Sequence, residues 1–291
     1  MTPATITTLT PRVGAATAEI VWFEDPGADD RARVGGKAAA LARVAASFNV
    51  PSGFTVVGEA PDSAVLAAYE QLAERVGRPD PAVAVRSSAA DEDGEDVSFA
   101  GQHETILGVR GADELLAAVA EARASGNSDR ALAYRRANGL HMPSAPLPIL
   151  VQALVQADAA AVVFSANPIN GRRDEVLINS SWGLGESIVG GTVTPDSFTV
   201  RDDATVETQI AEKRRMTVQV PGGSREVDVP APLRRLPSIL EHQARAAATL
   251  ARSLEQFFGH PVDLEVAWTG DQLHLLQTRP ITTLAQFKEA A

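Results

Sequence analysis

The sequence predicts a two-lobed α+β protein, and three observations predict it. Segments with strand and helix character alternate without the strict βαβ rhythm of a doubly wound sheet. A proline cluster, Pro143 to Pro148, interrupts the chain near its middle and is followed by β-rich segments. The length of 291 residues and the 45% hydrophobic content suffice for one large domain or for two lobes around genuine cores.

Each element follows from local pattern. Residues 1–18 read as a threonine-rich tail, and Glu19 to Asp25 is the first strand. The alanine-rich run Lys37 to Ser47 favours helix, and Pro51 and Gly53 end it before a strand at Phe54 to Val57. A helix at Ser63 to Arg75 and a strand across 82–88 come next. The acidic, glycine-containing stretch "AADEDGEDVSFAGQHET" is too polar for a core element and reads as a loop. Helices at Ala112 to Ala124 and Asp129 to Asn138 complete the first half. After the prolines come strands at Ile149 to Val155, Ala160 to Ser165, Glu175 to Asn179 and Phe198 to Val200. A long helix from Pro237 to Phe258 stops at Gly259, a residue suited to a helix C-terminus. A hairpin closes the fold.

Composition removes several function classes. The net charge of −11 disfavours nucleic acid as a partner, because a phosphate backbone is repelled unless basic residues gather in one patch. The densest basic run, "EKRRM" at 212–216, is short. The absence of cysteine excludes disulfides, thiolate metal sites and cysteine nucleophiles. The five histidines lie at 103, 141, 242, 260 and 274, with no pair at metal-ligand spacing. The N-terminal stretch does not read as a secretory leader, and no run approaches the ~20 apolar residues of a membrane span. The expectation is a soluble cytoplasmic protein without a membrane partner.

The hairpin "VDLEVAWTGDQLHLLQTRP" contains Asp263, Glu265, Gln277 and Arg279. A three-residue loop, Thr269-Gly270-Asp271, pairs Trp268 with Gln272, Glu265 with Leu275 and Asp263 with Gln277, so all four polar residues share one face. Leu264, Val266, Trp268 and Leu276 then face the core. A two-residue turn on Gly270-Asp271 splits the polar set across both faces, since side-chain direction repeats every two residues.

Familiar phosphate motifs fail. Gly35-Gly36-Lys37 lacks the earlier glycine and the following hydroxyl of a P-loop, where Arg31 and Ala38 stand instead. Gly183 and Gly185 lack the third glycine of a dinucleotide turn, since Ile188 occupies its place. Parts suited to a nucleoside triphosphate remain. Lys37 opens a helix behind two glycines and can set an ammonium beside phosphate, although a solvated lysine is the bland alternative. Arg86 ends an alternating strand that can hold its fork for bidentate phosphate binding, or for a structural ion pair. Gly101, in the loop running to Thr105, lets the backbone approach a ligand. Glu265 and Gln277 offer oxygen ligands for Mg²⁺, which takes one or two protein ligands plus phosphate oxygens, and Arg279 can neutralise the polyphosphate.

Five segments in order, "GGKAAALARV…NVPSGFTV", "AVRSSAADEDGEDVSFAGQHET", "ILVQALVQADAAAVVFSANP", "EVLINSSWGLGESIVGGTVTPDSF" and "VDLEVAW…LHLLQTRPI", resemble the ATP-binding domain of the phosphoenolpyruvate synthase and pyruvate phosphate dikinase family. Rifampin phosphotransferase shares that domain. The resemblance covers residues 19 to 283 and implies an ATP-grasp fold whose lobes close on Mg-ATP, with residues 19–145 as the N-terminal lobe and 146–291 as the C-terminal lobe. It implies phosphate contacts from Lys37, Arg86 and Arg279, a covering loop around Gly101 and Thr105, an adenine hinge from Gln152 to Leu154, and metal binding by Glu265 and Gln277. The reaction implied is AMP-forming phosphoryl transfer, in which the relatives pass phosphate to a histidine on a swivelling domain. No motif of that domain occurs here, so the expected acceptor is a separate phosphohistidine-domain or substrate-binding protein. Only about two dozen residues separate Val57 from Ala82, where relatives have a longer helical region. Two other classes fit such parts: an ADP-forming ligase that activates a carboxylate as an acyl phosphate, and a nucleotide-binding module without turnover.

Overall fold

The structure, a computed structural model, describes residues 18–90, 105–126, 146–282 and 284. Gly101, the helix expected at Asp129 to Asn138 and all but the last residue of the N-terminal tail lie outside the described residues.

A five-stranded antiparallel sheet forms the first lobe, in the order β1-β2-β5-β3-β4. Its strands are β1 (Glu19–Trp22), β2 (Gly53–Val57), β3 (Val83–Ser87), β4 (Thr105–Val109) and β5 (Ile149–Ala153). Helices α1 (Arg31–Val34), α2 (Gly36–Ala45), α3 (Asp62–Val76) and α4 (Gly111–Gly126) accompany it. Period-two alternation puts Phe54, Val56, Val83, Val85 and Val151 on one face, where Val65 and Leu72 of α3 and Leu115 and Val119 of α4 cover them. Each such side chain contributes roughly 1.5–3 kcal/mol on full burial. The other face, with Val57 and Leu150, turns with α2 toward the second sheet and shares its core.

The second sheet has the order β13-β12-β6-β7-β8-β9, and all its pairs are antiparallel. It comprises β6 (Ala159–Phe164), β7 (Glu175–Trp182), β8 (Asp196–Arg201), β9 (Val206–Gln209), β12 (Val262–Thr269) and β13 (Gln272–Pro280). A short helix α5 (Glu186–Val189) and a two-stranded flap, β10 (Arg215–Val220) with β11 (Gly223–Asp228), lie between β7 and α6 (Glu241–Phe258) in sequence or near it. Ala244, Ala247, Ala248, Ala251 and Leu254 of α6 pack on Ile178, Phe198, Leu264 and Trp268. Among the described residues no helix is long and apolar enough to cross a membrane.

The fold departs from the sequence reading in three places. Strand β5 lies beyond the proline cluster yet pairs with β2 and β3 in the first sheet, so the chain passes between sheets at 154–158 rather than at 145/146. Helix α6 begins at Glu241, not Pro237, because Ser238 is drawn away: its backbone N–H and hydroxyl both donate to Asp196 Oδ2, at 2.7 and 2.8 Å. Gln243 then closes the helix start by accepting from Leu240 N–H at 2.7 Å. The strands β9, β10 and β11 were hidden because almost none of their residues is buried, which leaves no apolar alternation to mark them. The short "EKRRM" run forms no basic patch, in keeping with the sequence reading. Lys213 is fully buried and donates to Asp196, itself fully buried, while Arg214 pairs with Glu212, and Arg215 with Glu226 and Asp228.

The flap touches both lobes through glycines. Gly108 of β4 has φ +79°, and a Cβ there would sit 2.3 Å from the carbonyl oxygen of Gly223. Gly183, after β7, has φ +76°, and its Cβ would fall 2.2 Å from the Thr217 carbonyl.

Candidate functional site

The lysine is set by its glycines. Gly35 caps α2 with φ 82° and ψ 169°, a conformation open essentially to glycine alone. Any Cβ on it would lie 1.6 Å from Ser88 O, so the start of α2 is pressed against the chain leaving β3. Gly36 N–H donates to Ala89 O at 2.9 Å, and Ala38 N–H to Ser88 Oγ at 3.1 Å. Lys37 is thereby held beside the end of β3, its Nζ 3.5 Å from Ser87 O.

Arg86 projects from β3 toward the second sheet, 7% exposed. Its Nη1 donates to Gln277 Oε1 at 3.1 Å and lies 3.7 Å from Glu265 Oε2. Its Nε is buried with no hydrogen-bond partner among the described residues. A buried guanidinium N–H without an acceptor is costly, and an anion entering here would satisfy it. Thr105 stands directly across the β3–β4 ladder from Arg86, and Leu150 across the β3–β5 ladder.

The closing hairpin reaches its shared polar face by another route than the sequence suggests. The turn has two residues, Gly270 and Asp271, with Thr269 opposite Gln272. That register alone would send Gln277 to the core. A bulge between Glu265 and Val266 adds one residue to β13, and beyond it Glu265 faces Gln277 and Asp263 faces Arg279. The core residue is Leu275, 1% exposed, and Leu276 is the unpaired residue of the bulge. Arg279 donates from Nε to Asp263 Oδ2 at 2.7 Å, with Nη2 at the same distance. Asp263, 6% exposed, thus fixes the guanidinium, a partnership the sequence placed on the right face without pairing.

At the passage between sheets, Gln152 spends its amide on Pro51 O at 3.2 Å, and Leu154 N–H donates to Ala82 O at 2.9 Å. Leu154 and Ala157 pack with Ala84, Leu107 and Leu184 in a small apolar cluster. A cleft of about 1260 Å³ runs along this passage. Asn49 ties its far wall by donating to Leu273 O at 2.8 Å, and burial holds the neighbouring His274 below the usual imidazole range.

The structure therefore brings together Arg86, Glu265, Gln277 and Thr105, with Lys37 at the adjoining strand end and Asp263–Arg279 next along the hairpin. Gln152 and Leu154 stand apart at the passage, and Gly101 is outside the described residues. The Arg86 guanidinium with its unspent N–H, set against carboxylate and amide oxygens, fits a polyphosphate and a hard cation. Among the described residues no three acidic or imidazole groups form a metal cage, so such a cation needs ligand oxygens to fill its shell.

Two facing sheets with this cluster between them define a two-lobed α+β protein. Residues 57–291 match the family model described as "Pyruvate phosphate dikinase, AMP/ATP-binding domain", and the chain belongs to that family. It is 36% identical over 252 residues to a probable phosphoenolpyruvate synthase of Methanothermobacter thermautotrophicus, covering 86% of this chain and 36% of the relative. It is 38% identical over 211 residues to the rifampicin phosphotransferase of Streptomyces sviceus, covering 72% of this chain and 24% of that one. The chain thus spans about a third or less of these relatives. Among solved structures it is similar to the D-alanine–D-alanine ligase of Coxiella burnetii, with a TM-score of 0.39 at 12% identity, covering 90% of this chain and 53% of that one.

Proposed function

We propose that this chain is the ATP-binding unit of an AMP-forming phosphotransferase, passing phosphate from Mg-ATP to a histidine on a separate phosphohistidine-domain protein, or to a substrate held by another protein. The observation that supports it best is Arg86. It crosses from the first sheet to Gln277 and Glu265 on the second while keeping a buried Nε–H unspent.

Phosphoryl transfer requires little covalent participation from the protein, and its rate comes from positioning and charge neutralisation. Lys37 and Arg86 would hold phosphate oxygens from the first lobe, Arg279 from the second, and Asp263 keeps the Arg279 fork from swinging away. The loop around Gly101 and Thr105 would cover the phosphates, and Gln152 to Leu154 would flank the base. Mg²⁺, when bound, would be held by Glu265 and Gln277 and would supply the remaining charge neutralisation.

The test is to incubate the chain with Mg-ATP, with and without a histidine-bearing partner domain, and to resolve the nucleotides. AMP and orthophosphate formed only with the partner support the proposal, and ADP as the sole nucleotide product overturns it. Glu265→Ala abolishes turnover while the melting temperature stays within a few degrees, since the Glu265 side chain is partly exposed and its ion pair with Arg86 is long, at 3.7 Å.

A further inference from the structure

Gln219 lies on β10 of the flap, opposite Ser224 on β11. Both polar atoms of its side chain, Oε1 and Nε2, are buried without a hydrogen-bond partner among the described residues. Flipping the amide changes nothing, because neither end is satisfied. A buried, unspent amide costs the fold its desolvation twice over, once for the donor and once for the acceptor. A leucine there would fill similar space without that cost.

The location gives the amide a purpose. Gln219 lines the same cleft as Leu154, Ala157 and Leu184, next to the chain passage between the sheets. Those three belong to the apolar cluster that also includes Ala84 and Leu107. Within a cleft of mixed polar and apolar lining, these apolar side chains are accompanied by one buried amide that can both donate and accept. Ligand sites set apolar side chains beside a few convergent polar groups that fix orientation. A glutamine amide matches the paired donor and acceptor on the edge of an adenine ring, and such a bidentate pair is specific.

We propose that Gln219 reads the purine base of the bound nucleotide, with the base lying among Leu154, Ala157 and Leu184. This rests on the proposed ATP-binding function and adds to it a base-reading residue on the flap, outside both sheets.

The experiment measures Kd for ATP, GTP and inorganic tripolyphosphate by calorimetry, together with the melting temperature, for wild type, Gln219→Leu and Gln219→Glu. In Gln219→Leu, ATP affinity falls about 10-fold, the worth of one to two net hydrogen bonds. Tripolyphosphate affinity does not change, and the preference for ATP over GTP narrows. The melting temperature of the free Gln219→Leu chain holds or rises. Gln219→Glu, which keeps shape but loses the donor, weakens ATP binding as well. ATP affinity unchanged in Gln219→Leu overturns the inference and leaves the ATP function standing, as does an equal loss for ATP and tripolyphosphate. A lowered melting temperature with unchanged ATP preference assigns Gln219 to packing alone and also overturns it. Wild type that binds no ATP sinks the functional proposal itself.

Discussion

Gly35 shows how much one residue decides. With φ 82° and a virtual Cβ 1.6 Å from Ser88 O, Gly35→Ala is strained in conformation and in space at once. Urea denaturation of Gly35→Ala is expected to show a loss of more than about 3 kcal/mol. Nucleotide binding should fall with it, because the same contact sets Lys37. The sequence made this region legible in part: two glycines before a lysine at a helix start suggested an ammonium beside phosphate. It did not reveal that the constraint comes from Ser88, some fifty positions on, because a close backbone approach leaves no mark on the residue approached. Arg86 and Glu265 were readable because strand alternation gives each a direction, whereas Gln277 and Arg279 reach the same face only through the bulge. Gln219 was not readable, since nothing in a strand pattern distinguishes a solvated amide from a sealed one.

The hairpin of β12 and β13 displays the same limit for an element. Pattern alone identified both strands and the shared polar face, yet its turn has two residues and the phase is recovered at the bulge. Two adjacent leucines, Leu275 and Leu276, conceal that bulge, since either could take the core position. The register yields a paired prediction. Removing Leu276 straightens the ladder and leaves Gln277 opposite Glu265, so ATP affinity measured by calorimetry stays within a few-fold. Removing Thr278 turns Arg279 toward the core side and parts it from Asp263, so ATP binding is lost.

Across the whole molecule, the sheets are joined by more than the passage at 154–158. Asp196 and Lys213 are both fully buried, and Asp196 also accepts from Ala211 N–H and from Ser238. Together they tie β8 to the segment that leads into the flap and to the approach of α6. Lys213→Met strands a buried carboxylate and should cost about 3–5 kcal/mol in chemical denaturation. Adding Asp196→Asn should recover part of that loss, because a neutral amide oxygen still accepts from Ser238. A proline cluster is an obvious landmark for a lobe boundary, but strand pairing placed β5 on its other side, and pairing between distant strands is not written in local pattern. The flap meets Gly108 on one lobe and Gly183 on the other, with no room at either for so much as a methyl group. A molecule moored on both banks does not swing apart like the covers of a book. For the lobes to separate widely, the strip must first cast off from one side, and whichever mooring yields sets the direction from which cargo comes aboard.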